Sequence, residues 1–140
     1  MIVLLIKTEL RPSTINGIGL FVPEPVKAGT LIWKFNPSID RLVTRGVYEG
    51  LPEVARAFID HFASRIYPDL YLLCGDNARF INYANPPNID CKSKHIDAEF
   101  FATHDLAAGS ELLDNYETFC LDWKFGLDVA ITQADGKATP

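Results

Sequence analysis

The chain has 140 residues, enough for one domain with a hydrophobic core and too few for two comfortable ones. Its 48% hydrophobic and 22% charged residues suit a globular protein, and no apolar run approaches the roughly 18–20 residues of a membrane helix. A net charge of −5 disfavours direct nucleic-acid binding, which needs a basic face, and suits a basic partner such as a Lys-rich peptide.

Met1 to Ile6 are apolar but short, with no basic leader and no small-residue cleavage site. Residues 1–8 are therefore expected to form a buried strand rather than an export signal. Asn16-Gly17 and Gly19 break the next run before Leu20-Phe21-Val22 extends again. Pro23, Pro25 and Gly29 then punctuate a turn ahead of a strand over Thr30 to Phe35. Residues 51–66 change period: Val54, Ala55, Phe58, Ile59, Phe62, Ala63 and Ile66 follow the spacing of an amphipathic helix of about four turns, with Pro52 in its opening turn and Pro68 beyond its end. Strands are predicted at 69–74, 99–102 and 111–113, with a turn at Gly75-Asp76-Asn77 and a short buried element from Arg79 to Tyr83. The expected fold class is mainly β with one or two helices, as a single domain over residues 1–130 and a polar tail over 131–140.

Cys74, Cys91 and Cys120 are irregularly spaced, with no Cys-x-x-Cys pair, so a metal site has little support. An odd count without a secretion signal points to reduced thiols in a cytoplasmic or nuclear-type compartment. His61, His95 and His104 are too scattered for a metal pair, and no Ser-His-Asp order or nucleophile elbow is present. Asp60 and Asp69 could pair as carboxylates, but nothing in the sequence brings them together.

Three segments place polar residues directly against apolar runs. Asn16-Gly17-Ile18-Gly19 lies between two predicted strands, and its glycines let backbone amides approach a ligand closely. It is not a dinucleotide fingerprint, because the third glycine position is Val22 and no crossover helix follows; taken alone it reads as a turn. Arg79-Phe80-Ile81-Asn82-Tyr83-Ala84-Asn85-Pro86-Pro87-Asn88 and Glu111-Leu112-Leu113-Asp114-Asn115-Tyr116 are the other two. The alternative for the first of these is an Asn-Pro turn capping a strand, and for the second a rim tyrosine with a wetted hydroxyl. If the segments are buried, however, each polar group must find a partner or cost about 1–3 kcal/mol.

Together, and in this order, the three segments resemble the SET domain of protein lysine methyltransferases, over roughly Thr8 to Phe119. The resemblance implies a β-clip-like fold of several small sheets with a threaded C-terminal segment. It also implies a protein-lysine N-methyltransferase that uses S-adenosylmethionine and no metal, acting on a lysine-containing protein or peptide. Gly17, Ile18 and Gly19 match the family's Gly-x-Gly at the methionine end of the cofactor. Arg79 to Tyr83 match Arg-Phe-x-Asn-His, in which the Asn side chain contacts the cofactor and the next residue's backbone meets the adenine. Tyr83 here replaces the usual His. Only Pro87-Asn88 survives of the Ser-Cys-x-Pro-Asn that often follows, so the zinc-binding Cys of some relatives is missing. Glu111 to Tyr116 match Glu-Leu-x-x-Asp-Tyr, which makes Tyr116 the catalytic tyrosine and puts Asn115 where Asp is commoner. Tyr71 is the candidate for a second wall of the lysine channel, and Phe119 or Trp123 for a cover over the adenine. The helical segment falls in the family's variable insert, whose Glu49, Glu53 and Asp60 would face a basic substrate. A homodimer is one way to supply a missing lid. The departures at Tyr83 and Asn115 keep open the alternative of an inactive SET-like scaffold.

Overall fold

The structure is a computed structural model, and it describes residues 4–91 and 99–116. Its strands are β1 (Glu9–Pro12), β2 (Ile18–Phe21), β3 (Leu31–Lys34), β4 (Arg41–Thr44), β5 (Ser64–Tyr67), β6 (Leu70–Leu73), β7 (Asn82–Tyr83), β8 (Ile89–Cys91), β9 (Glu99–Ala102) and β10 (Leu113–Asp114). Two helices, α1 (Arg45–Glu49) and α2 (Glu53–Phe62), lie between β4 and β5, and a 3-10 turn occupies Asn77–Phe80. No helix among the described residues is long and apolar enough to cross a membrane.

The strands form four small sheets: the β1-β2 hairpin, β3-β9-β8, β4-β6-β5, and the pair β7-β10. The pairings in the first three are antiparallel, whereas β7 and β10 run parallel, with Asn82 beside Leu113 and Tyr83 beside Asp114. Strands this short cannot bury enough surface singly, so the sheets share one core. Leu20, Ile32, Ile66, Leu72, Ile89 and Leu112 come from six different places in the chain and are all fully buried there. A second cluster of Val43, Ile59 and Tyr71, flanked by Tyr48 and Leu51, packs α1 and α2 onto the β4-β6-β5 sheet.

Sequence and structure differ around the helices, at the N-terminus and in the segment expected as a strand over 111–113, where Glu111 makes an isolated bridge to Phe21 and the strand itself is Leu113–Asp114. The helical pattern over 51–66 covers two elements: α2 stops at Phe62, Ala63 turns extended, and Ser64–Tyr67 becomes β5. Ile66 lies four residues after Phe62 and so continues the apolar spacing, yet it is buried as a strand residue. Hydrogen bonding to β6 and the strand preference of a β-branched side chain outweigh the period. The short α1 carries no apolar stripe to read; Thr44 caps it, its hydroxyl accepting from the Val47 N–H at 3.3 Å. The strand expected over 1–8 reduces to a bridge from Leu4 to Trp33 and a bond from the Leu5 N–H to the Ile32 carbonyl at 2.8 Å, with Met1 to Val3 outside the described residues.

Two carboxyl groups lie inside this fold. Asp40 ties the end of β3 to the end of β6 by accepting from the backbone N–H groups of Asn36 (2.9 Å) and Gly75 (3.0 Å). Burial still pushes its pKa above the usual carboxylate value, against the pull of those two N–H groups. Asp114, on β10, is only 7% exposed, and its Oδ1 has no hydrogen-bond partner. Burial, with a smaller push from the Asp90 carboxylate, raises its pKa to about 7 against a weaker pull from the Asn115 backbone N–H. The native Asp114 therefore holds a proton through a pH window in which the unfolded chain has already released it, and stability falls as pH rises through that window. Against an Asp114→Asn variant, the wild type is expected to lose up to about 4 kcal/mol between pH ~4 and pH ~8. Denaturant titrations across that range measure it, and parallel stability curves for the two proteins would show that Asp114 does not titrate in this way.

Candidate functional site

The three polar segments of the sequence meet at one place, where the β1-β2 turn, β7 and β10 converge. In the turn, Gly17 has φ +46°, a left-handed conformation that suits glycine. The Ser13 N–H donates to the Gly17 carbonyl at 2.8 Å, and the Ser13 hydroxyl accepts from the N–H groups of Ile15 (2.9 Å) and Asn16 (3.3 Å). A Cβ placed on Gly17 would meet nothing within 4 Å, so the loop backbone is open there. Gly19 is the opposite case. A Cβ on it would collide with the Glu111 carboxyl group, whose Cδ would lie 2.7 Å away.

Asn82 closes the loop from the other side. Its amide nitrogen reaches the carbonyls of Asn16 (3.0 Å) and Ile18 (3.3 Å) and Glu111 Oε1 (2.9 Å). Glu111 Oε2 accepts from the Ser13 hydroxyl at 3.0 Å, and Glu111 also bridges to Phe21 of β2. Glu111 was not among the site residues expected from sequence. Its place directly before an apolar pair, in a segment with this much burial, was the available signal. Asn88 holds the strand that follows: its Nδ2 donates to the Glu111 carbonyl at 2.7 Å, and its Oδ1 accepts from the Leu113 N–H at 2.8 Å.

Tyr116 lies just beyond β10. Its hydroxyl donates to the Ile81 carbonyl at 2.7 Å, and its ring meets that of Tyr83 edge-on, with centroids 5.5 Å apart. Gly17, Ile18, Gly19, Asn82, Tyr83 and Tyr116 are thus drawn into connected contacts across the chain. Tyr71 is placed elsewhere, in the second core cluster, stacked on Tyr48 with centroids 5.1 Å apart. Arg79 packs its guanidinium against Phe58, Phe62 and Phe80 at 5.6, 5.5 and 5.4 Å, with Nε buried and unbonded. It therefore joins the 3-10 turn to α2 through cation–π contacts. Phe119 and Trp123 lie outside the described residues.

The acidic face expected on the insert is partly neutralised. Glu49 pairs with Arg45 at 3.1 Å, and Asp60 accepts from the Tyr48 hydroxyl at 2.7 Å. Burial first, and the Asp60 carboxylate second, raise the Tyr48 pKa well above that of a free phenol, so Tyr48 stays a donor. Among the described residues no three His, Cys, Asp or Glu side chains converge as a metal site.

A family model for the SET domain matches residues 17–117, which span the loop, β7, β10 and Tyr116. Two solved structures of similar fold are a humanized mutant of the Chaetomium thermophilum Polycomb Repressive Complex 2 bound to the inhibitor GSK126 and the same kind of mutant bound to GSK343. The first has a TM-score of 0.60 at 24% identity over 79% of this chain, and the second 0.62 at 22% identity over 85%. The matched regions are 15% and 16% of those much longer chains. At these identities the likeness is one of fold. No curated protein matched the chain. With the family model spanning most of the chain, including Gly17, Asn82, Glu111 and Tyr116, the chain belongs to the SET domain family.

Proposed function

We propose that this chain is an S-adenosylmethionine-dependent protein-lysine N-methyltransferase with Tyr116 as its catalytic tyrosine. The observation that carries the reading is the Tyr116 hydroxyl, fixed by donation to the Ile81 carbonyl beside Asn82 and the Gly17 loop. The residues suit the cofactor: the loop backbone is open at Gly17, and the Asn82 amide, committed through its nitrogen to the loop and Glu111, keeps its carbonyl oxygen as an acceptor. Gly17, Ile18, Gly19, Asn82 and Tyr83 are assigned to the cofactor. Arg79 serves it from behind, by fixing the turn that leads into Asn82. Phe119 and Trp123 are assigned to the adenine cover.

When bound, the cofactor would supply a sulfonium methyl group to a neutral lysine amine, the new N–C bond replacing the S–C bond and the cofactor leaving as a thioether. The chain's part is alignment and electrostatics. Donation of the Tyr116 O–H to Ile81 makes its oxygen an acceptor, suited to C–H···O contacts with a polarised methyl group. The aromatic walls of Tyr83 and Tyr116 desolvate the incoming amine, and burial lowers its pKa and favours the neutral nucleophile. Tyr71, packed in the core under the helices, is given no part in this channel.

A second reading, a SET-like binding module without turnover, is favoured by one feature. All the hydrogen-bonding capacity of the Asn82 NH2 group is engaged within the protein.

Calorimetric titration of S-adenosylmethionine decides whether the pocket exists. Asn82→Ala is expected to weaken binding by about 1–3 kcal/mol, and an unchanged affinity would remove Asn82 from the pocket. Tyr116→Phe is expected to fold and bind cofactor normally while losing methyl transfer to a Lys-rich peptide by about 100-fold or more. Wild-type turnover in that variant would exclude its hydroxyl from the mechanism.

A further inference from the structure

We infer that Glu111 is a positioning residue for the cofactor loop: its carboxylate orients the Asn82 amide and locks the Gly17–Gly19 backbone. This rests on the cofactor assignment above and extends it to a residue that touches neither cofactor nor substrate. Three observations carry it. Glu111 Oε1 takes the Asn82 amide nitrogen at 2.9 Å, and a carboxylate can only accept, so the nitrogen and not the oxygen of that amide must face it. The same nitrogen reaches the Asn16 and Ile18 carbonyls on either side of Gly17, so fixing the amide also fixes the loop. Glu111 Oε2 meanwhile accepts from Ser13, whose hydroxyl caps the turn at Ile15 and Asn16.

The absence of a side chain at position 19 belongs to the same device, because the Glu111 carboxyl group occupies the space a Cβ would fill. Gly19 is needed for the closeness of this carboxylate, and its φ is not in the left-handed range. With Glu111 removed, the Asn16 and Ile18 carbonyls alone would hold the Asn82 amide nitrogen, and the turn would lose the anchor on Ser13. The amide and the loop it fixes would then have more than one accessible arrangement.

The test compares Glu111→Ala, Glu111→Gln and Ser13→Ala with the wild type by S-adenosylmethionine calorimetry, thermal melting and, at saturating cofactor, turnover on a Lys-rich peptide. A Gln at 111 can still present a carbonyl oxygen to Asn82, so it tests orientation separately from charge. The expected result is a loss of cofactor affinity of about tenfold or more in Glu111→Ala. Affinity in Glu111→Gln should return to within about threefold of wild type, and turnover at saturation should change little in either variant. Should the Ala variant not fold, Ser13→Ala and Glu111→Gln decide: a loss in the first with retention in the second supports the assignment, and equal affinities in both overturn it. A folded Glu111→Ala with wild-type affinity also overturns it, as does an affinity loss that follows melting temperature identically in the Ala and Gln variants. Failure of the wild type itself to bind cofactor would instead defeat the functional reading on which the inference stands.

Discussion

Everything at the site depends on a parallel pairing only two residues long. β7 and β10 share two register positions, far too few to hold together on ladder bonds alone. Asn88 makes up the difference. Its side-chain amide mimics a strand backbone, giving to the Glu111 carbonyl and taking from the Leu113 N–H, while its own N–H bonds the Leu113 carbonyl at 3.0 Å. The segment that carries Glu111 and Tyr116 is thereby held beside the one that carries Asn82. Leu112, between them in sequence, is fully buried and anchors the same segment from the core side. Buried polar groups satisfied in this way fix one arrangement, because each alternative leaves a donor or acceptor without a partner.

The same logic sorts the polar residues of the interior. Asp40, Asn82, Asn88 and Glu111 each face backbone or side-chain partners in segments distant from their own. Asp114 departs from it, with one carboxyl oxygen unbonded beside the parallel pair. It stands two residues before Tyr116 and opposite Tyr83 in register, so its proton bears on the strand that leads to Tyr116. The insert is organised by different means. Arg79 among three phenylalanine rings and Tyr48 stacked on Tyr71 hold the helices to the sheet with rings rather than with ladders.

How much of this was legible depends on whether the information was local. Glu99–Ala102 was read at its true bounds, and the strands around Leu31–Lys34 and Leu70–Leu73 to within a residue or two, because apolar runs between turn residues state their own limits. The helix over 51–66 ran on into β5, since Ile66 is apolar at a spacing both structures share, and only its partner strand separates them. β1 and β4, with mostly exposed residues, carried too little apolar pattern to be seen. At the site, the resemblance brought out Gly17, Gly19, Asn82 and Tyr116. The role of Glu111 could not be read in advance, because the reason for Gly19 is a carboxylate that lies far along the chain. Tyr71 shows the reverse: a tyrosine in an apolar strand gives no sign of which of two cores it enters, and here it entered the one under the helices.

Ser13 and Glu111, which clasp the Gly17 loop between them, are separated by 98 positions in sequence. Loop closure over that distance is entropically costly, and it adds to the nearer contacts that Ser13 and Asn82 make with the turn. The β1-β2 hairpin pairs neighbouring segments of the chain. The clasp on its turn forms only when residues 111–116 dock beside β7. A chain ending before that point has the Gly17 loop and Asn82, yet lacks the carboxylate that ties them together. The shape of this loop is therefore a property of the completed topology rather than of the local sequence.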